Sequence, residues 1–479
     1  MSEASNYLQR LQDGRNVWVN GERVADLTTH PVFSGTVKTV ARTVALQDDP
    51  EVGGELTFET DTGVRSHNAF LVPERVEDIA RRSRAFEIWT DASFGTMSRL
   101  GGSYRSQVTG LYINRAFAVP DQPHYAERME RYYRDVRDRN LLVTSAGHDP
   151  QIDRTKLASQ LGDLYTAVRI VRETEEGIVL RGAKMIATGA PYMDEIIVSP
   201  LKPIPASEKD YALMFFVAVG TPGVHLLCRE SFASENEEDH PLSSRYDEMD
   251  AVVIFDDALI PWERVLVKND PDLLWKVRSQ SIVGNLSVHE NIVRSVNRLE
   301  FVAAVGNELA DSIGIKKFAH VQDKLAELFY QIEAIKALLL VSERNPVRHP
   351  AGVWLANGKP LTTAKNLMNR FYPRAVEILQ LLSASGVLQA PSTMADFRGP
   401  LGPRLEEYFR GADRSAQERI QLLKLNWELT GSKLGARHVL YERYYGGDPE
   451  RTHARQYEEY DKQPLLDKVK ARLAAGGFR

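Results

Sequence analysis

The hydrophobic and polar positions along the chain change their spacing twice. Residues 1–150 are mainly helical in pattern, after an early hairpin signal at Asn20-Gly21. Residues 151–270 alternate apolar and polar positions in short runs separated by prolines, which predicts a β-domain. Residues 271–479 repeat apolar positions every three or four residues, which predicts a helical bundle. The pattern therefore predicts an α+β protein with three domains in the order helical, β and helical.

Three or four long helices are expected within the bundle, and the pattern outlines three of them. One apolar stripe marks the first of them, formed by Leu325, Leu328, Ile332, Ile335 and Leu339. The second should begin near Pro373 and end at Gly386, and the third should span about residues 414–434. A further hairpin is expected in the β-domain around Glu175-Glu176-Gly177.

Composition narrows the range of partners and compartments. The 479 residues carry a formal net charge of −5, so no basic surplus favours nucleic acid or an anionic membrane. The longest apolar run, residues 211–219, is far shorter than the ~18–20 residues of a membrane helix. The single cysteine, Cys228, allows no internal disulfide and no thiolate metal site. With no apolar leader visible at the start, we expect a cytoplasmic protein.

Sequence motifs of the common enzyme classes do not occur. No G-x-G-x-x-G follows a predicted strand, and neither G-x-S-x-G nor H-E-x-x-H is present. The histidines have no metal-ligand spacing, so no metal site is predicted. The residues alone thus indicate an enzyme of helical, β and helical build without naming its reaction.

Five stretches resemble the oxygenase component of the two-component 4-hydroxyphenylacetate 3-monooxygenases. In the order of the chain they are DGRNVWVNGERVADLTTHP (13–31), DPQIDRT (149–155), RGAKMIATGA (181–190), FYPRAVEILQLLSASGVLQAPS (371–392) and YERYYGGDPER (441–451). The resemblance implies an acyl-CoA dehydrogenase-like fold with a β-barrel-like middle domain, and assembly as a homotetramer.

The same resemblance implies the chemistry. FADH2 from a separate NAD(P)H:flavin reductase would react with O2 to a flavin C4a-hydroperoxide, which would hydroxylate an aromatic or heteroaromatic small molecule. A flavin-dependent N-oxygenase, or a flavin dehydrogenase or oxidase on the same scaffold, is the alternative.

The resemblance places the flavin between the β-domain and the bundle. The positions that match flavin-contacting stretches of the family are Gln151, Ile152, Asp153, Arg154, Thr188, Tyr445, Gly446, Gly447 and Asp448. A surface ion pair is the alternative for Asp153-Arg154, and a plain helix terminus is the alternative for Gly446-Gly447.

The substrate side departs from the family pattern. Where phenol-hydroxylating members have R-S-P-D-Y, residues 102–106 read Gly102, Ser103, Tyr104, Arg105 and Ser106, so the Arg and Tyr positions hold glycine and serine. The family's substrate His aligns with Ser145. Either Tyr104, Arg105 and His148 replace the missing groups, or the substrate is not a simple phenol of the 4-hydroxyphenylacetate type. In the second case, space vacated at Gly102 could admit a larger ring.

His289 is the candidate general base. In the family, a His at the matching place before the bundle helix lies near the substrate pocket, and a neutral imidazole could remove a proton from substrate O–H or N–H. A satisfied histidine between helices is the alternative. The candidate catalytic residues are therefore His289, Arg105 and Tyr104.

Overall fold

The computed structural model describes residues 2–100, 102–118 and 123–475. The N-terminal part contains α1 (Glu3–Arg10), β1 (Asn16–Val19), β2 (Glu22–Arg23), α2 (Ser34–Ala45), α3 (Gly53–Leu56), β3 (Thr57–Glu59), β4 (Arg65–His67), α4 (Glu77–Asp91), α5 (Ser103–Ala118), α6 (Pro123–Asp138) and β5 (Val143–Ala146). The middle part contains β6 (Arg169–Glu173), β7 (Gly177–Thr188), β8 (Glu195–Val198), β9 (Leu213–Ala218), β10 (Val224–Cys228), α7 (Ser243–Tyr246), β11 (Asp250–Pro261) and β12 (Val265–Lys268).

Helices dominate the remainder of the chain. They are α8 (Pro271–Arg278), α9 (Ser281–Ser312), α10 (Ala319–Arg344), α11 (Gly358–Ser383), α12 (Gly386–Gln389), α13 (Gly402–Phe409), α14 (Ala416–Thr430), α15 (Lys433–Tyr444), α16 (Pro449–Glu459) and α17 (Gln463–Ala475). A small hairpin of β13 (Val347–Arg348) and β14 (Trp354–Leu355) separates α10 from α11. The predicted order of helical, β and helical segments is observed.

Two sheets form the middle of the molecule. The larger has the strand order β2-β1-β10-β11-β7-β6, and the smaller has the order β12-β9-β8-β5. Both predicted hairpins are present, β1 with β2 and β6 with β7. Asn20 and Gly21 have positive φ values of 53° and 83°, as a tight hairpin turn of this type requires. Each sheet also takes a strand from before residue 151, because β1 pairs in parallel with β10 and β5 pairs in parallel with β8.

The second and third predicted bundle helices have different bounds from those expected. The second, α11, begins at Gly358 rather than near Pro373, and the side chain of Asn357 caps it by accepting from the Lys359 amide. Pro373 lies inside this helix, where it removes one backbone hydrogen bond while buried apolar positions continue on both sides. The third is two helices, because α14 ends at Thr430 and Ser432 caps α15.

The helical stripe predicted for α10 is confirmed, since Leu325, Leu328, Ile332 and Ile335 are buried. Helix α9 is the most enclosed of the long helices and packs against α4, α5, α10 and α11. It therefore joins the N-terminal part to the bundle. No helix in the described ranges is both long and apolar enough to cross a membrane.

Candidate active site

The N-terminal end of α5 meets α9 and the segment after α15. The hydroxyls of Ser103 and Ser287 lie 2.6 Å apart, and the Tyr445 hydroxyl donates to Ser103 Oγ at 3.2 Å. The two helices approach closely, because a Cβ on Gly110 would lie 2.8 Å from the Cα of Val283. Candidate residues from the N-terminal and C-terminal parts of the sequence are thus brought together.

A half-buried arginine that the sequence analysis missed lies at this junction. The guanidinium of Arg99 lies over the rings of Tyr104, Tyr445 and Tyr441, at 4.6, 4.6 and 5.6 Å from their centroids. The carboxylate of Glu248 accepts from the Arg99 backbone amide at 2.6 Å. Burial raises the pKa of Tyr445 to about 12, so its hydroxyl remains protonated at neutral pH. Tyr104 and Tyr445, both predicted site residues, therefore share one cation.

Thr188 lies where the β-domain meets the bundle. Its hydroxyl donates to Asp250 Oδ1 at 2.6 Å, and the guanidinium of Arg437 binds both oxygens of the same carboxylate at 2.6 and 2.8 Å. Burial acts to raise the pKa of Asp250, but Arg437 and Arg229 outweigh it and hold that pKa well below the usual range. Thr188 is therefore fixed by an ion pair that links the sheet to α15.

Arg105 is buried beside Gly102. Only 2% of Arg105 is exposed, and its guanidinium lies 4.8 Å from the Trp89 ring centroid. Burial lowers its pKa to about 9, so the group stays charged at neutral pH. Neither Nη atom of Arg105 has a hydrogen-bond partner among the described residues.

The space expected at Gly102 is filled. A Cβ there would lie 3.1 Å from the Ala69 Cβ, 3.4 Å from Phe86 and 3.8 Å from Nη2 of Arg105. The expectation of room for a larger ring in that direction is therefore wrong. Instead, the Arg105 guanidinium stands next to the position where the family pattern has its arginine.

The hydroxyl of Ser106 is engaged by the protein itself. It accepts from Nη2 of Arg82 at 2.8 Å, while Nη1 of Arg82 donates to the backbone carbonyls of Asn68, Ala69 and Leu71. Ser106 thereby helps to hold α4 against α5.

His289 faces α4 and α10. Its Nε2 lies 2.8 Å from Glu343 Oε1, which also accepts from the Ser83 hydroxyl at 2.6 Å. Burial acts to raise the pKa of Glu343, but the bonds from His289 and Ser83 hold it below the usual range. The geometry is that of a histidine with a partner between helices, the alternative given above, and a role as the base stays a prediction.

The neighbour of His289, Glu290, is a second residue that the sequence analysis missed. It has 0% exposure, and within the described parts of the chain neither carboxylate oxygen has a hydrogen-bond partner. Burial raises its pKa to about 8, against the opposing guanidiniums of Arg294, Arg99 and Arg105. Arg294 is itself bound at 2.6 and 2.9 Å by the Glu442 carboxylate.

The predicted flavin loop lies on the surface. Ile152 is 65% exposed, Asp153 accepts from the amide and hydroxyl of Thr155, and Arg154 donates to Gln151 Oε1 at 2.7 Å. Asp153 and Arg154 thus bind neighbours in the loop rather than each other. Contact of these residues with a flavin stays a prediction.

Ser145 and His148 lie at and just beyond β5. Ser145 is half-buried in the smaller sheet, where it is paired with Ile197. Burial lowers the pKa of His148, and among the charges that lower it further is Arg451 of α16.

Gly446 and Gly447 form the turn between α15 and α16. A Cβ on Gly446 would lie 2.9 Å from Cδ of Lys365, and Gly447 has φ +105°. Asp448 caps α16, accepting from the Glu450 amide at 3.1 Å. The helix-terminus alternative describes this geometry, and flavin contact by the three residues stays a prediction.

The residues that the sequence analysis missed share one property. Each is a charged or phenolic side chain at the junction of segments distant in the sequence; Glu248 and Glu290 are buried, and the others, which are half-buried, are Arg99, Asp250, Arg437 and Tyr441. One local signal was available, since Arg437 and Tyr441 are four residues apart and share a helix face with Tyr445. In the described residues no group of three or more His, Cys, Asp or Glu could hold a metal ion.

Comparison with known proteins identifies the family. A sequence profile described as 4-hydroxyphenylacetate 3-hydroxylase N terminal matches residues 3–267, and one described as 4-hydroxyphenylacetate 3-hydroxylase C terminal matches residues 280–474. The 4-hydroxyphenylacetate 3-monooxygenase oxygenase component of Thermus thermophilus is 39% identical over 459 residues, covering 96% of this chain and 94% of that protein.

A second relative and a solved structure support the same family. A monooxygenase of Streptomyces globisporus that acts on a carrier-protein-bound (3S)-3-amino-3-(3-chloro-4-hydroxyphenyl)propanoyl group is 34% identical, covering 93% of this chain and 85% of that protein. A crystal structure of the oxygenase component (HpaB) of 4-hydroxyphenylacetate 3-monooxygenase with FAD and 4-hydroxyphenylacetate superposes with a TM-score of 0.93, at 38% identity and 99% coverage of both chains. The chain therefore has the fold of that oxygenase component, and the predicted two-component monooxygenase class is confirmed. The chain belongs to the 4-hydroxyphenylacetate 3-hydroxylase family.

Proposed function

We propose that this protein uses reduced FAD and O2 to hydroxylate an aromatic or heteroaromatic small molecule. A separate NAD(P)H:flavin reductase would supply the reduced FAD in the cytoplasm. The observation that carries the proposal is the junction at Arg99, where the N-terminal part, Glu248 of the β-domain and Tyr445 of the C-terminal part surround one half-buried cation. FAD is bound in the solved relative with which the whole chain superposes.

The chemistry of the junction fits a flavin. Nε of Arg99, Nη1 of Arg437 and the Tyr441 hydroxyl are buried donors without partners among the residues described. A reduced flavin ring carries negative charge and several acceptor atoms, which such donors would hold. Reduced FAD, when bound, supplies the oxygen-activating chemistry of the reaction.

The protein's own residues would position the ring and exclude water. The aromatic rings of Tyr104, Tyr441 and Tyr445 enclose the Arg99 guanidinium, and Asp250 fixes Thr188 toward the same junction. A dry, preorganised cavity strengthens each of these interactions and limits wasteful loss of the activated oxygen.

The substrate is proposed to differ from 4-hydroxyphenylacetate. The family's Arg position holds Gly102 and its His position holds Ser145, so neither a cation nor an imidazole is present at these two positions. The Ser106 hydroxyl is bound by Arg82. The remaining cation, Arg105, reaches this region from a different position in the chain. A substrate with its ionisable group elsewhere on the ring, or a heteroaromatic one, would suit this arrangement.

Turnover with a reductase tests the function. Purified protein should not oxidise NADH alone, should bind reduced FAD anaerobically, and should release hydroxylated product only when a flavin reductase, NADH and O2 are present. Incorporation of oxygen-18 from O2 into that product separates oxygenation from the dehydrogenase or oxidase alternative, and fragmentation of the product separates carbon from nitrogen oxygenation. NADH oxidation by the protein alone would contradict the two-component assignment, and efficient conversion of 4-hydroxyphenylacetate to its catechol would contradict the substrate proposal.

We further propose a homotetramer assembled through the C-terminal helices. Large apolar side chains are exposed on α10, α11 and α12, among them Tyr330, Leu340, Leu381 and Leu388, the last with 75% exposure. Burying such a surface between copies would remove it from water. Light scattering should give about four times the chain mass of 53.9 kDa, and a single-chain mass at micromolar concentration would contradict this.

A further inference from the structure

An ionisable base and an ionisable acid are buried near each other without forming a hydrogen bond. Arg105 of α5 and Glu290 of α9 are 2% and 0% exposed. The two helices are joined close by, through the 2.6 Å contact between Ser103 and Ser287. Each residue shifts the pKa of the other, so the two groups lie within electrostatic range, yet they form no ion pair in the described structure.

Both groups lack the partners that buried charges normally have. Neither Nη atom of Arg105 and neither oxygen of Glu290 has a hydrogen-bond partner in the described parts of the chain. A buried ionisable group without a hydrogen-bond partner is costly, so each one calls for an explanation, and a role in binding or catalysis is one such explanation. The two residues therefore offer donors and acceptors to a third group between the helices.

The other cations around Glu290 already have contacts of their own. Arg294, one turn from Glu290, binds Glu442 through both guanidinium nitrogens. Arg99 lies over tyrosine rings that include Tyr445, and Glu248 accepts from Ser98 and from the Arg99 amide. His289 faces away toward Glu343. Among the groups around Glu290, the Arg105 guanidinium is thus the cation with two free donors.

We propose that Arg105 and Glu290 together bind an acidic O–H or N–H group of the aromatic substrate, with Glu290 taking the proton and Arg105 holding the anion that remains. The proposal rests on the proposed function and names its substrate class, an aromatic molecule with an acidic proton conjugated to the ring.

The step is a simple proton transfer. The substrate O–H or N–H bond breaks, its electron pair stays on the heteroatom, and the proton joins a carboxylate oxygen of Glu290. The Nη donors of Arg105 hydrogen-bond to the resulting anion. Delocalisation of that charge makes the ring electron-rich, which is the state required for attack on an electrophilic oxygen.

Two probes of nearly equal shape test the proposal. 4-Nitrophenol has the acidic proton and 4-nitroanisole does not, and the affinity of FAD-loaded protein for each can be measured by equilibrium dialysis. Unmodified protein should bind the phenol at least tenfold more tightly. Arg105→Leu should remove that preference while changing 4-nitroanisole affinity less than twofold, and Arg105→Lys should restore part of it.

Glu290→Gln tests the proton acceptor. In the ligand-free protein Glu290 has a pKa of about 8, so its carboxyl is ionised above that pH. There the unmodified protein must take up a proton on Glu290 when it binds the phenolate. Its affinity for 4-nitrophenol should therefore fall by up to tenfold per pH unit above about pH 8, and Glu290→Gln should abolish that fall. Glu300→Gln, the same substitution on an exposed part of α9 where the carboxylate pairs with Lys336, should match unmodified protein.

Each outcome decides the question. The proposal is overturned if the two probes bind equally, if neither binds, or if the preference and its pH dependence survive in both variants. If the variants lose affinity for both probes and for FAD to the same extent, the two residues have a structural role, and this outcome would also overturn the proposal. FAD binding and oxygen-18 incorporation are measured on the same preparations, so failure of this pair can be told from failure of the proposed function.

Discussion

The substrate side and the flavin loop of the site differ in how much of their geometry the protein itself provides. The substrate side, residues 102–106 with Glu290, is buried and held by two packed helices. The flavin loop is the segment of residues 149–165, which begins with the predicted flavin stretch. In this loop Ile152 is 65% exposed, and the polar side chains of residues 151–154 form hydrogen bonds with near neighbours in the sequence. Binding contacts that are built in advance cost little ordering, whereas an exposed loop must be ordered by its ligand. Variants on the two sides should therefore fail in different ways.

The largest difference between variants on the two sides should appear in the free energy of unfolding. Arg294→Met removes both hydrogen bonds to Glu442 and leaves that buried carboxylate unpaired. We expect it to lower the free energy of unfolding by about 3–5 kcal/mol. Arg154→Met in the exposed loop should change it by less than about 0.5 kcal/mol. Denaturant unfolding of both variants checks this, and equal effects would erase the contrast.

The pH dependence of stability should identify Glu290. Its pKa in the folded protein is about 8, above its unfolded value, so the folded state binds more protons and stability falls as pH rises between the two values. From pH 5 to pH 8 the unmodified protein should lose roughly 3–4 kcal/mol more than Glu290→Gln. Unfolding free energies of ligand-free protein at both pH values test it, and parallel curves would show that Glu290 titrates normally.

Two glycine variants separate strain from crowding. Gly102 and Gly162 have similar φ values of +102° and +92°, but a Cβ on Gly162 has no neighbour within 4 Å. Gly162→Ala should therefore cost about 1–2 kcal/mol through backbone strain alone. Gly102→Ala should cost about 2–4 kcal/mol, because it also presses on Ala69. Thermal unfolding measures both, and identical costs would mean that the substrate side yields as easily as the loop.

The smallest effect should be on cofactor affinity. Arg154→Ala is expected to weaken FAD binding by about three- to tenfold, the loss of one hydrogen bond, without changing thermal stability. Arg23→Ala, an exposed position on β2, serves as the control and should leave FAD affinity unchanged. Fluorescence titration with FAD measures both. An unaltered affinity in Arg154→Ala would remove this residue from the flavin site.

Local pattern was sufficient for the element order and for both hairpins, because turn residues such as Asn20-Gly21 and the period of apolar positions act over short distances. It could not show that Asn16 lies beside His225, since alternation says nothing about a strand's partner. The start of α11 was misjudged because Pro373 is a strong local signal that packing on both sides overrides.

The candidate site also has some residues that the sequence indicated and others that only the structure shows. Family resemblance pointed to the segments at 102–106, 188 and 445–448, and the structure brings Ser103 and Tyr445 into contact. Arg99 and Glu290 were not found, because a charged residue in a helical pattern is usually on the surface. Only the assembled fold shows that Glu290 is buried and that Arg99 is half-buried against tyrosine rings.

The hairpin of β1 and β2 has a consequence for the timing of biosynthesis. Asn16 lies beside His225, 209 residues further along the chain, and this pairing completes the larger sheet. At about 5–20 residues per second, a ribosome needs about 10–40 s to make that partner. Throughout this interval the emerging hairpin of residues 16–23 lacks the neighbouring strand β10 that joins it to the larger sheet. The sheet that brings Asp250 to Thr188 is thus a late product of translation, and the start of the chain is among the last segments to find its place.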